Sequence, residues 1–142
     1  NTARGRLALV ILMDQFPRNM YRGSPRAFEF DPKALALCLR SIRDRQDRSL
    51  SLLERMFLYM PLMHAETGEI QGMSRRLFAE LARLAKERRS SFAHFLALSA
   101  DFAVQHAEII ERFGRFPHRN EVLGRESAPA EVAFLKEPGS SF

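Results

Sequence analysis

The sequence predicts an all-α protein built from about six helices in antiparallel hairpins. Three observations support this class. Apolar residues recur three and four positions apart through most of the chain, whereas the alternation typical of strands is nearly absent. Helix-capping residues precede several of these segments, and Gly or Pro ends them. The segments are joined mostly by short connections, which favour antiparallel neighbours.

The first helix is predicted over about Arg4 to Phe16 and is apolar on most of its sides, which is typical of a central helix. We expect it to stop at Pro17, because proline disfavours helical geometry in the residue before it. A long loop rich in turn-forming residues follows. The second helix is predicted to open with Asp31 as its N-cap and Pro32 at its first helical position.

The third helix is predicted to begin with a capping box between Ser51 and Glu54. Pro61 lies inside its apolar pattern and predicts a kink or an early end, because proline removes one hydrogen bond of the helix. The fourth helix is predicted over about Gln71 to Arg88. Its predicted inward stripe consists of Met73, Leu77, Leu81, Leu84 and Ala85.

The fifth helix has the clearest helical period and ends at Gly114, a favourable left-handed cap. If Phe102 faces the core, Phe102→Ala should cost about 3–5 kcal/mol of stability. A short last helix, about Pro129 to Lys136, is predicted to turn Val132 and Leu135 inward. The full inward stripe predicted for the fifth helix is Phe92, Phe95, Leu96, Ser99, Phe102, Ala103, His106, Ile109, Ile110 and Phe113.

Composition predicts one domain over residues 1–142, since 142 residues with 46% hydrophobic content can bury one core. The single cysteine, Cys38, lies on an apolar helical face and excludes an internal disulfide, which suits a reducing cytoplasm. No apolar run approaches the roughly 20 residues needed to span a membrane. We therefore expect a cytoplasmic protein with no membrane partner.

The formal charge of +5 at pH 7 raises the question of nucleic-acid binding. The charge pattern argues against it. In the segments Arg40–Arg48 and Arg83–Arg89 the basic residues alternate with acids, as on a solvated helix face, and no aromatic residues are interleaved for base stacking. Nucleic acid is therefore not expected as a partner.

Motifs for known chemistry are missing from the sequence. There is no glycine-rich phosphate loop, nucleophile elbow or dinucleotide fingerprint, so no cofactor is expected. The histidines lack the i, i+4 spacing of a helical zinc pair, so no metal site is expected either. His64 and His106 lie on apolar helix faces, where a core histidine bonded to a backbone carbonyl is the simpler interpretation. The alternative pairs His64 with Glu66 as a base and its orienting partner.

A short motif occurs twice: "DQFPRN" after the first helix and "RFGRFPHRN" after the fifth. If consecutive helices are antiparallel, the first, third and fifth helices end on the same side of the domain. Their polar ends could simply cap the helices, whose carbonyls carry partial negative charge. They could also grip an anion, because Arg forks match carboxylate and phosphate. The residues expected to gather there are Asp14, Arg18, Asn19, His64, Glu66, His118, Arg119 and Asn120.

Four segments together resemble one known family: "LALVILMDQFPRNMYRGSPRAF", "FLYMPLMHAE", "IIERFGRFPHRNEVLGRESAPAE" and "FLKEPGSSF". They are similar to the bacterial family catalogued as domain of unknown function 924. The resemblance implies an all-helical, tetratricopeptide-like fold and a cytoplasmic bacterial protein, and it implies no reaction. Members usually begin with a further helical segment containing tryptophan. Because this chain has no Trp, we expect that segment to be missing from it.

The functional hypothesis is a non-catalytic helical module that binds a protein, a peptide or a small anionic ligand at the polar cluster. The alternative is a small hydrolase or transferase that uses His64, Glu66 and His118. The sequence does not decide whether the protein is an enzyme, and it leaves a homo-oligomer open.

Overall fold

The computed structural model describes residues 2–141, and in that range it contains six α-helices and no strand, so the all-α prediction is confirmed. Short 3-10 helices at Pro25–Phe28, Gln46–Ser49 and Pro117–Arg119 lie in the connections. The α-helices are α1 (Ala3–Met20), α2 (Asp31–Arg43), α3 (Leu52–Met63), α4 (Gly68–Glu87), α5 (Ala93–Phe113) and α6 (Pro129–Phe134). Among these residues, none of the helices has both the length and the apolar content needed to cross a bilayer.

Helix α1 continues through Pro17 to Met20, so the predicted stop at Pro17 was wrong. Proline takes one backbone donor from the helix, and side chains supply other donors in the same turn. Arg18 donates to the Asp14 carbonyl at 3.2 Å and Asn19 donates to the Gln15 carbonyl at 3.1 Å. The extension carries Arg18 on a rigid helical turn beside Asp14.

Helix α1 is also less central than predicted. It packs on α2 and α3 through a face that includes Leu7 and Val10. Its other face leaves four large apolar side chains at least half exposed: Leu9, Leu12, Phe16 and Met20.

Helix α2 begins at Asp31 itself, with Phe30 in the N-cap position, one residue earlier than predicted. Asp31 does not cap because its carboxylate accepts hydrogen bonds from Arg18. At α3 the predicted capping box is confirmed: Glu54 accepts from the Ser51 backbone at 2.8 Å, and Ser51 accepts from the Glu54 backbone at 3.3 Å.

Helix α3 contains Pro61 and ends two residues later at Met63, as the predicted early end requires. It packs against α1, α2, α4 and α5 and therefore occupies the middle of the fold. The main core cluster draws on all five long helices, with Val10, Cys38, Leu62, Phe78 and Leu96 fully buried. A smaller cluster of Ile109, Ile110, Phe116 and Phe134 joins α6 to the end of α5.

The predicted faces of α4, α5 and α6 need correction. In α4, Leu81 and Ala85 are buried as predicted, but the largest buried side chain is Phe78, which the predicted stripe omitted. In α6, Val132 and Leu135 are exposed, whereas Glu131 and Phe134 are buried. Six residues make too few turns for a reliable period, and Glu131 is drawn inward by Arg115 at 2.7 Å.

In α5 the buried residues Leu96, Ser99, Ala103, His106, Ile109 and Ile110 follow the prediction, and Gly114 adopts the expected positive φ of 71°. Phe92, Phe95 and Phe102 do not face the core, because each is 47–48% exposed. Phe95 and Phe102 instead line an open space between α3 and α5, and Phe92 is the N-cap of the helix. The predicted cost of 3–5 kcal/mol for Phe102→Ala therefore does not apply.

Candidate functional site

The C-terminal ends of α1, α3 and α5 meet at one place in the fold. His64, which caps α3, contacts Asp14 of α1 through Nδ1 and Oδ1 at 2.7 Å. Its ring centroid lies 6.2 Å from that of His106 on α5. Just beyond α5, the Phe116 backbone donates to Glu66 at 2.7 Å. The helix ends thus converge as the antiparallel order of the helices predicts.

Asp14 and His64 form a buried pair, with Asp14 fully inaccessible to solvent. Burial raises the pKa of Asp14, but the contacts with His64 and the charge of Arg18 outweigh it, so the pKa lies below its ordinary value. Burial lowers the pKa of His64 in spite of Asp14. At neutral pH a neutral imidazole therefore donates its Nδ1–H to an ionised carboxylate, and Gln15 donates to the second Asp14 oxygen.

Arg18 is held mainly by protein groups. Its two terminal nitrogens donate to the two oxygens of Asp31 at 2.7 and 2.9 Å, a forked ion pair. Nη1 also lies within hydrogen-bond distance of the Asp14 and Ala27 carbonyls. These partners tie the end of α1 to the start of α2, as the capping interpretation requires.

Arg119 is buried more deeply and is less completely satisfied. Its side chain lies between the rings of Phe28 and Phe116, with the guanidinium carbon 4.6 Å from each centroid. It donates to the His64 carbonyl at 3.1 Å, and Nη1 lies 3.6 Å from Asp31. The Nε atom is buried with no hydrogen-bond partner among residues 2–141. Burial and the charge of Arg18 lower the pKa of Arg119 to about 10.

Glu66 does not orient His64. Both of its oxygens accept from Arg125, at 2.7 and 3.0 Å, and one also accepts from the Phe116 backbone. The carboxylate that contacts His64 is Asp14 instead. Glu66 therefore ties the α3–α4 connection to the segment after α5.

The remaining predicted residues are spread around this centre. His118 packs on the Phe116 ring at 5.7 Å between centroids, and burial together with Arg119 lowers its pKa to about 4. Asn19 is exposed at the rim of the site. Asn120 is fully buried, but its side chain donates to Ser127 at 3.0 Å in the connection to α6.

A pocket of about 390 Å³ opens beside these groups, and we call it the arginine–histidine pocket. None of the described residues that line it carries a carboxylate. Its lining residues are Arg18, Asn19, Arg22, Gly23, Ala27, Phe28, His64, His106, His118 and Arg119.

Sequence reasoning missed Arg22, Phe28 and His106 as parts of this pocket. Arg22 lies in the turn after α1, beyond Met20, so helical spacing from Arg18 could not have placed it in the pocket. Phe28 carried no sequence signal, because its role as a ring beneath Arg119 depends on tertiary packing.

A second open space, the apolar groove, has a volume of about 490 Å³ and runs between α3 and α5. His64 and His106 line both the groove and the arginine–histidine pocket. The groove is lined by Met56, Phe57, Met60, Met63, His64, Phe95, Leu98, Ser99, Phe102, His106 and Ser141. Across residues 2–141, no group of three or more His, Cys, Asp or Glu side chains is arranged to hold a metal ion.

Comparison with known proteins gives a family and a fold but no activity. Residues 1–139 match a family model described as "Bacterial protein of unknown function (DUF924)". The structure resembles that of the protein of unknown function ATU0120 from Agrobacterium tumefaciens, with 36% sequence identity and a TM-score of 0.73. That similarity covers 95% of this chain and 69% of the other. Among curated proteins none matches.

Proposed function

This chain belongs to the bacterial DUF924 family of unknown function, and we propose that it binds a small anionic ligand in the arginine–histidine pocket. The observation that carries the proposal is Arg119. This residue is only 6% exposed, lines a pocket that no carboxylate lines, and keeps its Nε without a hydrogen-bond partner among residues 2–141. Leaving a buried charged donor unsatisfied is costly. Because this Nε is itself out of reach of solvent, the proposal requires that the Arg119 side chain shifts on binding and brings the donor to the anion.

Arg22 provides a second ligand donor. Its side chain lines the same pocket, is exposed, and forms no hydrogen bond or ion pair within the described part of the chain. Arg18, in contrast, is neutralised by Asp31 and has a structural role. The two interpretations of the polar cluster thus divide between residues: Arg18 stabilises the helix ends, while Arg22 and Arg119 are left for a ligand.

The electrostatics of the pocket favour an anion. Burial and neighbouring positive charge lower the pKa of both His118 and Arg119, to about 4 and about 10. Burial is the larger cause of both shifts and penalises any charge, whereas the smaller contribution from neighbouring arginines favours a negative charge there. A volume of about 390 Å³ suits a small molecule or a terminal carboxylate better than a folded partner surface.

A catalytic role is the second candidate, and the Asp14–His64 pair favours it. A carboxylate bonded to Nδ1 leaves the other imidazole nitrogen as a base, which is how several enzymes arrange a histidine. Its carboxylate partner would be Asp14 in place of Glu66. We give it less weight because Ser99, a hydroxyl beside His64 and His106 in the apolar groove, donates to the Phe95 carbonyl and is already engaged.

The test is calorimetric titration of inorganic phosphate, and separately acetate, in a low-salt buffer free of competing anions. We expect phosphate to bind the wild-type chain and to bind Arg22→Ala about tenfold or more weakly, since a charged hydrogen bond contributes roughly 1.5–3 kcal/mol. Arg26→Ala is the matched control, because it removes an exposed arginine four positions away that does not line the pocket. Failure of both anions to bind, or equal losses of affinity in the two variants, would contradict the proposal.

A further inference from the structure

The apolar groove exposes several large apolar side chains to water. Phe95, Leu98 and Phe102 stand side by side on α5 and are 43–48% exposed. Three methionines of α3, whose flexible thioether side chains adapt to varied apolar shapes, form the opposite wall. Contiguous exposed apolar surface is a feature of ligand-binding grooves and of protein interfaces.

The groove and the arginine–histidine pocket share two imidazoles in their lining. His64 and His106 line both spaces, and their ring centroids are 6.2 Å apart. Both rings are fixed from behind: His64 donates to Asp14, and His106 donates through Nδ1 to the Phe102 carbonyl at 2.7 Å. On one side of this pair the lining is cationic, and on the other it is apolar.

Resting on the anion binding proposed above, we propose that the ligand is an acyl carboxylate that occupies both spaces. Its carboxylate would lie with Arg22 and Arg119, and its hydrocarbon chain would pass the two imidazoles into the groove between α3 and α5. The charge of the pocket selects the head group, and the apolar lining selects the chain. The groove volume of about 490 Å³ lies in the range of small-molecule sites.

A second copy of the chain is a less suitable occupant. A second copy bound stably over the groove would need to bury about 800 Å² of surface on each partner, the size of a standard interface. It would also leave the cationic pocket at the end of the groove unexplained. A single amphipathic molecule accounts for both surfaces together.

The experiment measures dissociation constants for hexanoate, octanoate and decanoate by calorimetry, with each acid below its micelle concentration. We expect the affinity of the wild-type chain to rise about two- to fourfold with each added methylene, the effect of burying hydrocarbon in a half-open site. 1-Octanol, which has the chain without the charge, should bind more weakly than octanoate. Arg22→Ala should weaken octanoate binding and leave 1-octanol binding little changed.

Two groove variants test where the hydrocarbon chain of the ligand lies. Phe102→Gln and Leu98→Gln should each flatten the dependence of affinity on chain length. Leu12→Gln, which replaces an equally exposed apolar residue on α1 outside the groove, should keep that dependence. Circular dichroism of each variant verifies that its helices are intact.

The outcomes separate the two proposals. If phosphate or acetate binds but chain length has no effect, the acyl chain is excluded and simple anion binding stands. If none of the anions binds, both proposals fail. If affinity depends on the length of the acyl chain equally in all three glutamine variants, the groove does not hold the acyl chain. The same follows if Phe102→Gln instead abolishes a concentration-dependent dimer of the protein seen by sedimentation.

Discussion

His64 is kept uncharged although it contacts an ionised carboxylate. Burial outweighs the attraction of Asp14, and the nearby arginines add to the penalty for a second positive charge. The other two histidines of the site are also kept uncharged. Burial, with smaller contributions from neighbouring cations, lowers the pKa of His106 to about 3 and that of His118 to about 4. The folded pocket is therefore a place where histidines resist protonation.

This resistance predicts how stability depends on pH. Below about pH 6.5 the histidines of the unfolded chain take up protons, while in the folded chain burial keeps His64, His106 and His118 neutral to lower pH. The free energy of unfolding should therefore decrease as the pH is lowered through this range, by about 1.4 kcal/mol per pH unit for each such histidine. The loss of Asp14 ionisation would add to it only at still lower pH.

Urea unfolding between about pH 7 and pH 4.5, in buffers free of phosphate, checks this expectation. His118→Gln should reduce the slope. His94→Gln, at an exposed position of α5, serves as the control. A free energy of unfolding that does not change over this range would contradict the assignment of neutral buried histidines.

At the scale of the helix, α5 shows how far a sequence pattern can be trusted. Its period predicted the helix, its glycine cap and a buried stripe. The predicted inward face was too wide. Ten residues were assigned to it, but neighbouring helices cover only the part nearest α3 and α4. Whether Phe95 and Phe102 are covered depends on what packs beside them, and a period in one segment carries no information on that.

The corrected faces of α4 and α5 predict a contrast between two Phe→Ala variants. Phe78 is completely buried on α4, so Phe78→Ala should destabilise the fold by about 3–5 kcal/mol through lost burial and a cavity. Phe102 is 48% exposed, so Phe102→Ala should cost about 1 kcal/mol or less. Urea midpoints of the two variants measure the difference, and equal losses would mean that the groove is closed in solution.

Across the whole molecule, helix order was enough to predict the meeting of distant chain segments. Counting antiparallel helices brought Asp14, His64 and Arg119 together, and the structure has them in contact through direct bonds or shared partners. Counting could not say which carboxylate reaches His64, or that Asn120 turns toward Ser127. Those choices depend on side-chain directions and on the exact approach of helix ends, which the sequence pattern leaves undetermined.

The single-domain expectation also belongs to this scale and can be checked directly. One core cluster includes residues of α1, α2, α3, α4 and α5, so no group of helices has a core of its own apart from the small cluster at α6. We expect one cooperative unfolding transition. Far-UV circular dichroism and the near-UV signal of the buried Tyr59 should give the same midpoint, whereas separate midpoints would indicate two units.

The arginine–histidine pocket has a consequence for the rate at which the protein folds and unfolds. The contacts that hold its lining residues His64 and Arg119 join positions far apart in the chain: Asp14 and His64 are 50 positions apart, and His64 and Arg119 are 55 apart. Closing such long loops is slow, so contacts of this kind form late on the folding pathway. An anion that binds only the finished pocket would find little to bind in the transition state. It should therefore slow unfolding while leaving the folding rate nearly unchanged.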